Sequence, residues 1–167
     1  MFKHAILVGA MSMCAVSAHA TTTPITGNVQ SRCVITTDTP GVYGNPNAYT
    51  LTTSATDGGV QPIVRFDVTL ADAYLAQITT PTSFSSSPSI SETITWTGST
   101  EVSAVSDATN MGDYETNKVT FGQTTQYDLT STGSTWFKSS SSATLGGNKA
   151  FPGGSYSANV TALCVAQ

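Results

Sequence analysis

Val64-Arg65-Phe66-Asp67-Val68-Thr69-Leu70 places an apolar side chain at every second position, with charged or polar ones between them. Successive side chains of an extended chain point to opposite faces, so this run predicts a strand with one face buried and one in water. Ile90-Ser91-Glu92-Thr93-Ile94-Thr95-Trp96 behaves in the same way toward its end and runs into Thr97-Gly98-Ser99, which reads as a turn. Shorter strands are predicted over 48–54, 101–105, 118–121, 127–130 and 136–139, and a helical turn or two over 71–78. Pro40-Gly41, Gly44-Asn45-Pro46, Asp57-Gly58-Gly59, 81–88 and Leu145-Gly146-Gly147-Asn148 separate these runs as turns, and the serine-rich 83–89 reads as a loop. Seven or so short strands at this spacing, in a chain rich in Thr and Ser with 10% charged residues, predict an all-β, immunoglobulin-like sandwich.

Outward from this domain, the N-terminus carries Lys3 and His4, an apolar stretch over 5–16, and Ser17-Ala18-His19-Ala20 with small residues where a signal peptidase reads. Residues 1–20 are therefore expected to be a signal peptide, cleaved before Thr21, and the apolar stretch is shorter than the roughly 20 residues a spanning helix needs. Cys14 sits in a poor lipidation context and is expected to leave with the signal. Both histidines, His4 and His19, leave too. What remains has five basic residues against ten acidic ones, a net charge of −5, which disfavours nucleic acid or anionic membrane as a partner. Only Cys33 and Cys164 are left as thiols, so export into an oxidising compartment predicts one disulfide between them, tying the two ends of the domain together. Two cysteines without histidine do not make a zinc site, and no metal or cofactor is expected.

The closing segment, from Gly153 to Gln167, has Tyr156, Ala158, Val160, Ala162, Cys164 and Ala166 on one parity and mostly polar residues on the other, which predicts a final strand buried on one face. In the opening segment Ile25, Val29, Cys33 and Ile35 share a parity, with Gly27 small between the first two. Periodicity alone favours an ordinary first strand paired within its own domain.

Three local patterns bear on that choice. Ile25-Thr26 is followed by Val34-Ile35, Ile94-Thr95-Trp96-Thr97-Gly98 lies mid-chain, and Gly154-Ser155-Tyr156-Ser157-Ala158-Asn159-Val160 lies near the end. In this order the chain resembles pilins of the chaperone-usher pathway, particularly the alternate class with the colonisation-factor major subunits. The mid-chain pattern is similar to their Ser-Val-Ser-Trp-Gly-Gly segment and the last to their closing Gly-Asn-Tyr-Ser-Gly-Val-Val. Those subunits have Pro at the place of Cys33 and an apolar residue at the place of Cys164, so the disulfide does not follow from the resemblance. The resemblance implies a sandwich lacking its last strand, hence a groove beside the C-terminal strand and an unpaired edge. It implies a donor-strand extension over 21–31, with Ile25, Gly27 and Val29 as groove-filling positions, ahead of a pilin domain over 32–167. The acceptor edge would then be Tyr156, Ala158, Val160 and Ala162. A periplasmic chaperone and an outer-membrane usher are the implied assembly partners, other copies of the chain the fibre partners, and a host or abiotic surface the target in adhesion or biofilm formation. The implied destination is a cell-surface pilus reached through the periplasm.

The competing reading is a self-contained secreted sandwich, an adhesin-like or matrix protein, in which Tyr43, Tyr49, Tyr74, Trp96, Tyr114, Tyr127 and Trp136 offer rings for carbohydrate stacking. An enzyme is not expected: no histidine follows residue 20 and no free cysteine is left, which removes the common nucleophile-base pairs. The carboxylate pairs Asp113/Glu115 and Asp67/Asp72 read as solvated surface, and Asp107 to Asp113 as turn chemistry rather than a calcium loop. The sequon Asn159-Val160-Thr161 falls in the predicted final strand and reads as coincidental.

Overall fold

A computed structural model describes residues 32–70, 74–147 and 149–167. The signal peptide and the donor-strand extension expected over 1–31, with Ile25, Gly27 and Val29, lie outside the described residues. In chain order the strands are β1 (Cys33–Thr39), β2 (Gly44–Asn47), β3 (Thr50–Thr52), β4 (Ile63–Val68), β5 (Tyr74–Thr79), β6 (Ile94–Val105), β7 (Val119–Phe121), β8 (Thr124–Leu129), β9 (Gly133–Leu145) and β10 (Thr161–Ala166). A 3-10 turn (Ala55–Asp57) follows β3, and helices α1 (Ala108–Met111) and α2 (Tyr114–Asn117) lie between β6 and β7.

All pairings are antiparallel and make two sheets, so the predicted all-β sandwich is the architecture found. The larger sheet runs β1-β4-β9-β3-β2, with β6 on the other side of β9, and the smaller runs β10-β5-β8-β7. One edge of β9 is shared end to end by two strands. Its first half pairs with β4, Gly133 opposite Val68 through Lys138 opposite Ile63, and its second half with β3, Ser142 opposite Thr52 through Thr144 opposite Thr50. The other edge pairs with β6 from Thr135 to Leu145.

Strict alternation on β9 sends Thr135, Phe137, Ser139, Ser141, Ala143 and Leu145 inward. Opposite them stand Ala76 and Ile78 of β5 and Thr125, Tyr127 and Leu129 of β8. Phe137 packs against Phe66 at 5.3 Å and Tyr127 at 4.5 Å between ring centroids, and Met111 and Tyr114 of the two helices plug the adjoining end of this core. Midway along β9, at Ser139 and Ser141, the interior turns polar, and no buried hydroxyl among the described residues lacks a partner. Ser139 shares a hydrogen bond with Thr100 (3.1 Å), and Ser141 and Thr53 bond through both backbone N–H groups (2.9 Å each). Buried hydroxyls are tolerated only when paired in this way.

Several expectations are corrected. Residues 97–99 are not a turn: β6 passes straight through them, because Gly98 is needed for close packing rather than for bending. A Cβ there would stand 2.5 Å from the Thr80 hydroxyl and 2.9 Å from the Ser140 carbonyl. The helical turn over 71–78 is replaced, over its described part, by strand β5, whose Ala and Gln are helix formers overruled by pairing on both edges with β8 and β10. The short strand at 136–139 is one part of thirteen-residue β9, and the single strand at 48–54 narrows to Thr50–Thr52. Leu70, expected on the buried face, is 38% exposed, since β4 ends at Val68. The turn expected after Asp107 becomes α1, capped by the Asp107 carboxylate, which accepts from the Thr109 and Asn110 N–H groups. The long final strand shrinks to Thr161–Ala166. Residues 152–160 lead into it outside any sheet, with an isolated bridge between Ser157 and Ser86 as their backbone pairing.

The disulfide expected from the cysteine count is present and joins β1, an edge of the larger sheet, to β10, an edge of the smaller, with the Cα atoms 6.4 Å apart. It spans 131 positions, and closing so long a loop removes denatured-state entropy worth on the order of 5 kcal/mol in the chain-entropy model.

Two outcomes follow from this packing. Gly98→Val should destabilise the domain by about 1–3 kcal/mol through overpacking, read as a lower midpoint in urea. Cys33→Ala with Cys164→Ala should cost several kcal/mol, up to the order of 5, and reduction of the parent protein should lower its melting temperature by a similar step.

Candidate functional site

Because β4 and β3 share one edge of β9, they part where one ends and the other begins, near Ser141. Beside that junction a groove of about 830 Å³ opens. Val64, Leu51, Thr53 and Ser141 form its floor. One wall is the end of β1 and the turn after it, Thr37 to Tyr43, and the other is the C-terminal segment from Phe151 to Val160. The floor is part apolar and part hydroxyl, with the Tyr43 and Ser141 hydroxyls 2.9 Å apart. Burial raises the Tyr43 phenol above its ordinary pKa and the bond to Ser141 partly offsets this, so the phenol stays protonated.

Of the predicted acceptor residues, Tyr156, Ala158 and Val160 line this groove, and Ala162 packs against the core just beyond its end. The predicted parity is visible in the burial: all four are half-buried while Ser155, Ser157, Asn159, Thr161 and Leu163 are exposed. None of the four is fully buried, because the larger sheet lies on only part of that face. Ser157, which also lines the groove, bonds to the serine-rich loop, donating to Ser86 O (2.8 Å) and accepting from Ser85 N (2.7 Å). Tyr156, Ala158, Asn159 and Val160 make no backbone–backbone hydrogen bond among the described residues. The groove wall is thus an extended segment with unpaired edge groups, the condition in which a chain accepts another strand.

The other reading's aromatic residues are dispersed. Tyr114 and Tyr127 are core, the Tyr127 hydroxyl donating to Thr100 O (2.9 Å). Trp136 is covered by Arg65 at 6.0 Å and donates to Asp38. Tyr43 and Trp96 belong with a ring that sequence reading passed over. Phe84, in the serine-rich loop, packs against Trp96 (4.8 Å), Tyr156 (5.1 Å), Phe151 (6.1 Å) and Tyr43 (6.4 Å). This cluster pins loop and C-terminal segment together and so holds the groove wall. A lone Phe among the six Ser and Pro residues of 83–89 was the one available signal for it. The carboxylates weighed as catalytic pairs are occupied elsewhere. Asp67 binds Arg65 and Ser134, Asp113 binds Asn117, and Glu115 binds Lys118 and the Val102 N–H, while Asp72 lies outside the described residues. Asp107 is held below the ordinary carboxylate pKa, chiefly by the Asn110 side chain, and serves as a cap.

No family model, curated protein or solved structure matches this chain.

Phe84→Ala removes four ring contacts, each worth about 0.5–1.5 kcal/mol where well packed, and should lower the melting temperature with a loss of near-UV circular dichroism. If both stay at parent values, the cluster does not hold the wall.

Proposed function

We propose that the chain is a structural subunit of an extracellular pilus, polymerising head to tail by donor-strand complementation, with an immunoglobulin-type sandwich that is one strand short. The observation that carries this reading is the groove. It runs beside a C-terminal segment whose inward parity is half-buried and whose edge is unpaired. The segment over 21–31 of a neighbouring copy is the proposed occupant, with Ile25 and Val29 filling the apolar positions and Gly27 between them. Burying each of those two side chains is worth roughly 1.5–3 kcal/mol, and main-chain hydrogen bonds to the free edge fix the register.

The path of the chain supports donation over self-closure. Arg32 extends the β1–β4 ladder, accepting at its carbonyl from Thr69 N (3.1 Å) and donating from its N–H to Thr69 Oγ1 (3.1 Å). The groove opens at the other end of β1, from Thr37 onward. β1 thus enters the domain at the end away from the groove, which favours an occupant from another molecule over self-closure. Such an interface repeats without closing, and a fibre is its product. Before assembly the open edge is an aggregation hazard, which a periplasmic chaperone would cover and an outer-membrane usher would relieve. Export through the periplasm to the cell surface, in the service of adhesion or biofilm formation, completes the proposal.

The mature chain should give a ladder of multimers in unboiled detergent gels and thin fibres by electron microscopy. Deleting residues 21–29 should leave a folded, far-UV-normal subunit that forms neither. A strictly monomeric full-length chain, or undiminished fibres from the deletion, would overturn the proposal.

A further inference from the structure

We infer that the Cys33–Cys164 disulfide is the end-stop of the groove, fixing both the direction and the reach of the inserted strand; this rests on the pilus reading above. A strand lying between two others needs two inter-strand spacings, about 9.6 Å in all. At the disulfide the Cα atoms of β1 and β10 are 6.4 Å apart, so no chain passes between them there. The space beside the bond is filled as well, since Cys33, Ala162 and Cys164 pack on the core cluster.

The groove begins symmetrically about this bond. Thr37 is the first residue of β1 to line it and lies four residues after Cys33, while Val160 is the last of the opposite wall and lies four residues before Cys164. The two walls are therefore joined at one end and diverge from the same distance along each strand, about 13 Å from the bond at 3.3 Å per residue. From Val160 to Tyr156 the wall offers three inward positions, and from Ile25 to Val29 the donor has three of one parity.

Direction follows from the block. The C-terminal end of the donor is covalently continuous with its own domain through Arg32 and must leave by the unblocked end. Its N-terminal end then points at the disulfide, and the donor runs antiparallel to the wall, with Ile25 nearest Val160 and Val29 nearest Tyr156. A donor in the opposite direction would bring its own folded domain, joined through Arg32, against the closed end where the walls stand 6.4 Å apart.

Photo-crosslinking on the full mature chain tests this, with a benzophenone amino acid placed in turn at Thr23 and at Gln30 and equal amounts of light and heavy protein co-assembled. Mixed-isotope adducts are expected from Thr23 to peptides around the disulfide (161–164 or 33–37) and from Gln30 to the far end (151–156 or 40–43). Mixed adducts with the two positions exchanged, or Thr23 adducts to 74–75 or 166–167 beyond the bond, would overturn the end-stop while leaving donation standing. Adducts confined to single chains would overturn both. In the Cys33→Ala, Cys164→Ala double variant, checked for folding by circular dichroism, Thr23 adducts should spread past residue 164. An unchanged adduct pattern in a folded double variant would also overturn the end-stop.

Discussion

One strand carries the alternation on which everything else is built. β9 presents six inward residues in unbroken register and gives its two edges to three partners, β4 and β3 sharing one side and β6 taking the whole of the other. Period-two geometry leaves no freedom here, because a slip of one residue would turn Phe137, Ala143 and Leu145 to solvent and bring Lys138 inside. The sharing of an edge then has a necessary result. Two strands that meet on the same edge of a third diverge at the junction, and the groove opens beside it. The groove is a consequence of the sheet's topology before it is a feature of any side chain.

Edge management explains the rest of that end of the molecule. β10 and β1 are both edge strands, and a sandwich with two facing open edges is prone to uncontrolled pairing. The disulfide clamps them together at one end, and the Phe84 cluster fastens the C-terminal segment at the other. Between these fixed points the segment over 156–160 is held extended without a partner on its groove side. The ordering entropy of that wall, roughly 1–2 kcal/mol per residue of backbone, is met on folding, so the proposed donor strand would have less to overcome.

The sequence made some of this legible and hid the rest for physical reasons. Val64 to Val68 declared itself because apolar and charged side chains alternate, and the disulfide because only two thiols were left to pair. The even parity from Tyr156 to Cys164 was equally plain, although parity does not tell a strand in a ladder from an extended wall beside a gap. β9 was mostly invisible, since Ser139 to Ser142 carry no hydrophobic signal and the inward hydroxyls of Ser139 and Ser141 are paired with those of Thr100 and Tyr43. Gly98 misled in the opposite sense: a residue chosen for the space Thr80 needs looks the same, in one dimension, as a residue chosen for a turn. The groove floor drew Leu51, Val64 and Ser141 from three separate strands, and no local pattern announces a junction between them.

The hydroxyl-lined half of the interior has a bearing on where such a protein can serve. Serine and threonine hydroxyls do not titrate in the acidic range and carry no net charge for salt to screen. The ion pairs among the described residues, Arg65–Asp67, Lys118–Glu115 and Lys138–Glu101, are all at the surface. Exposed pairs of this kind contribute little, about 0–1 kcal/mol each. Acid would weaken the carboxylate bonds at the surface, such as the Asp107 cap of α1, but the hydroxyl pairs inside the domain persist when carboxylates are protonated or salt masks the charges.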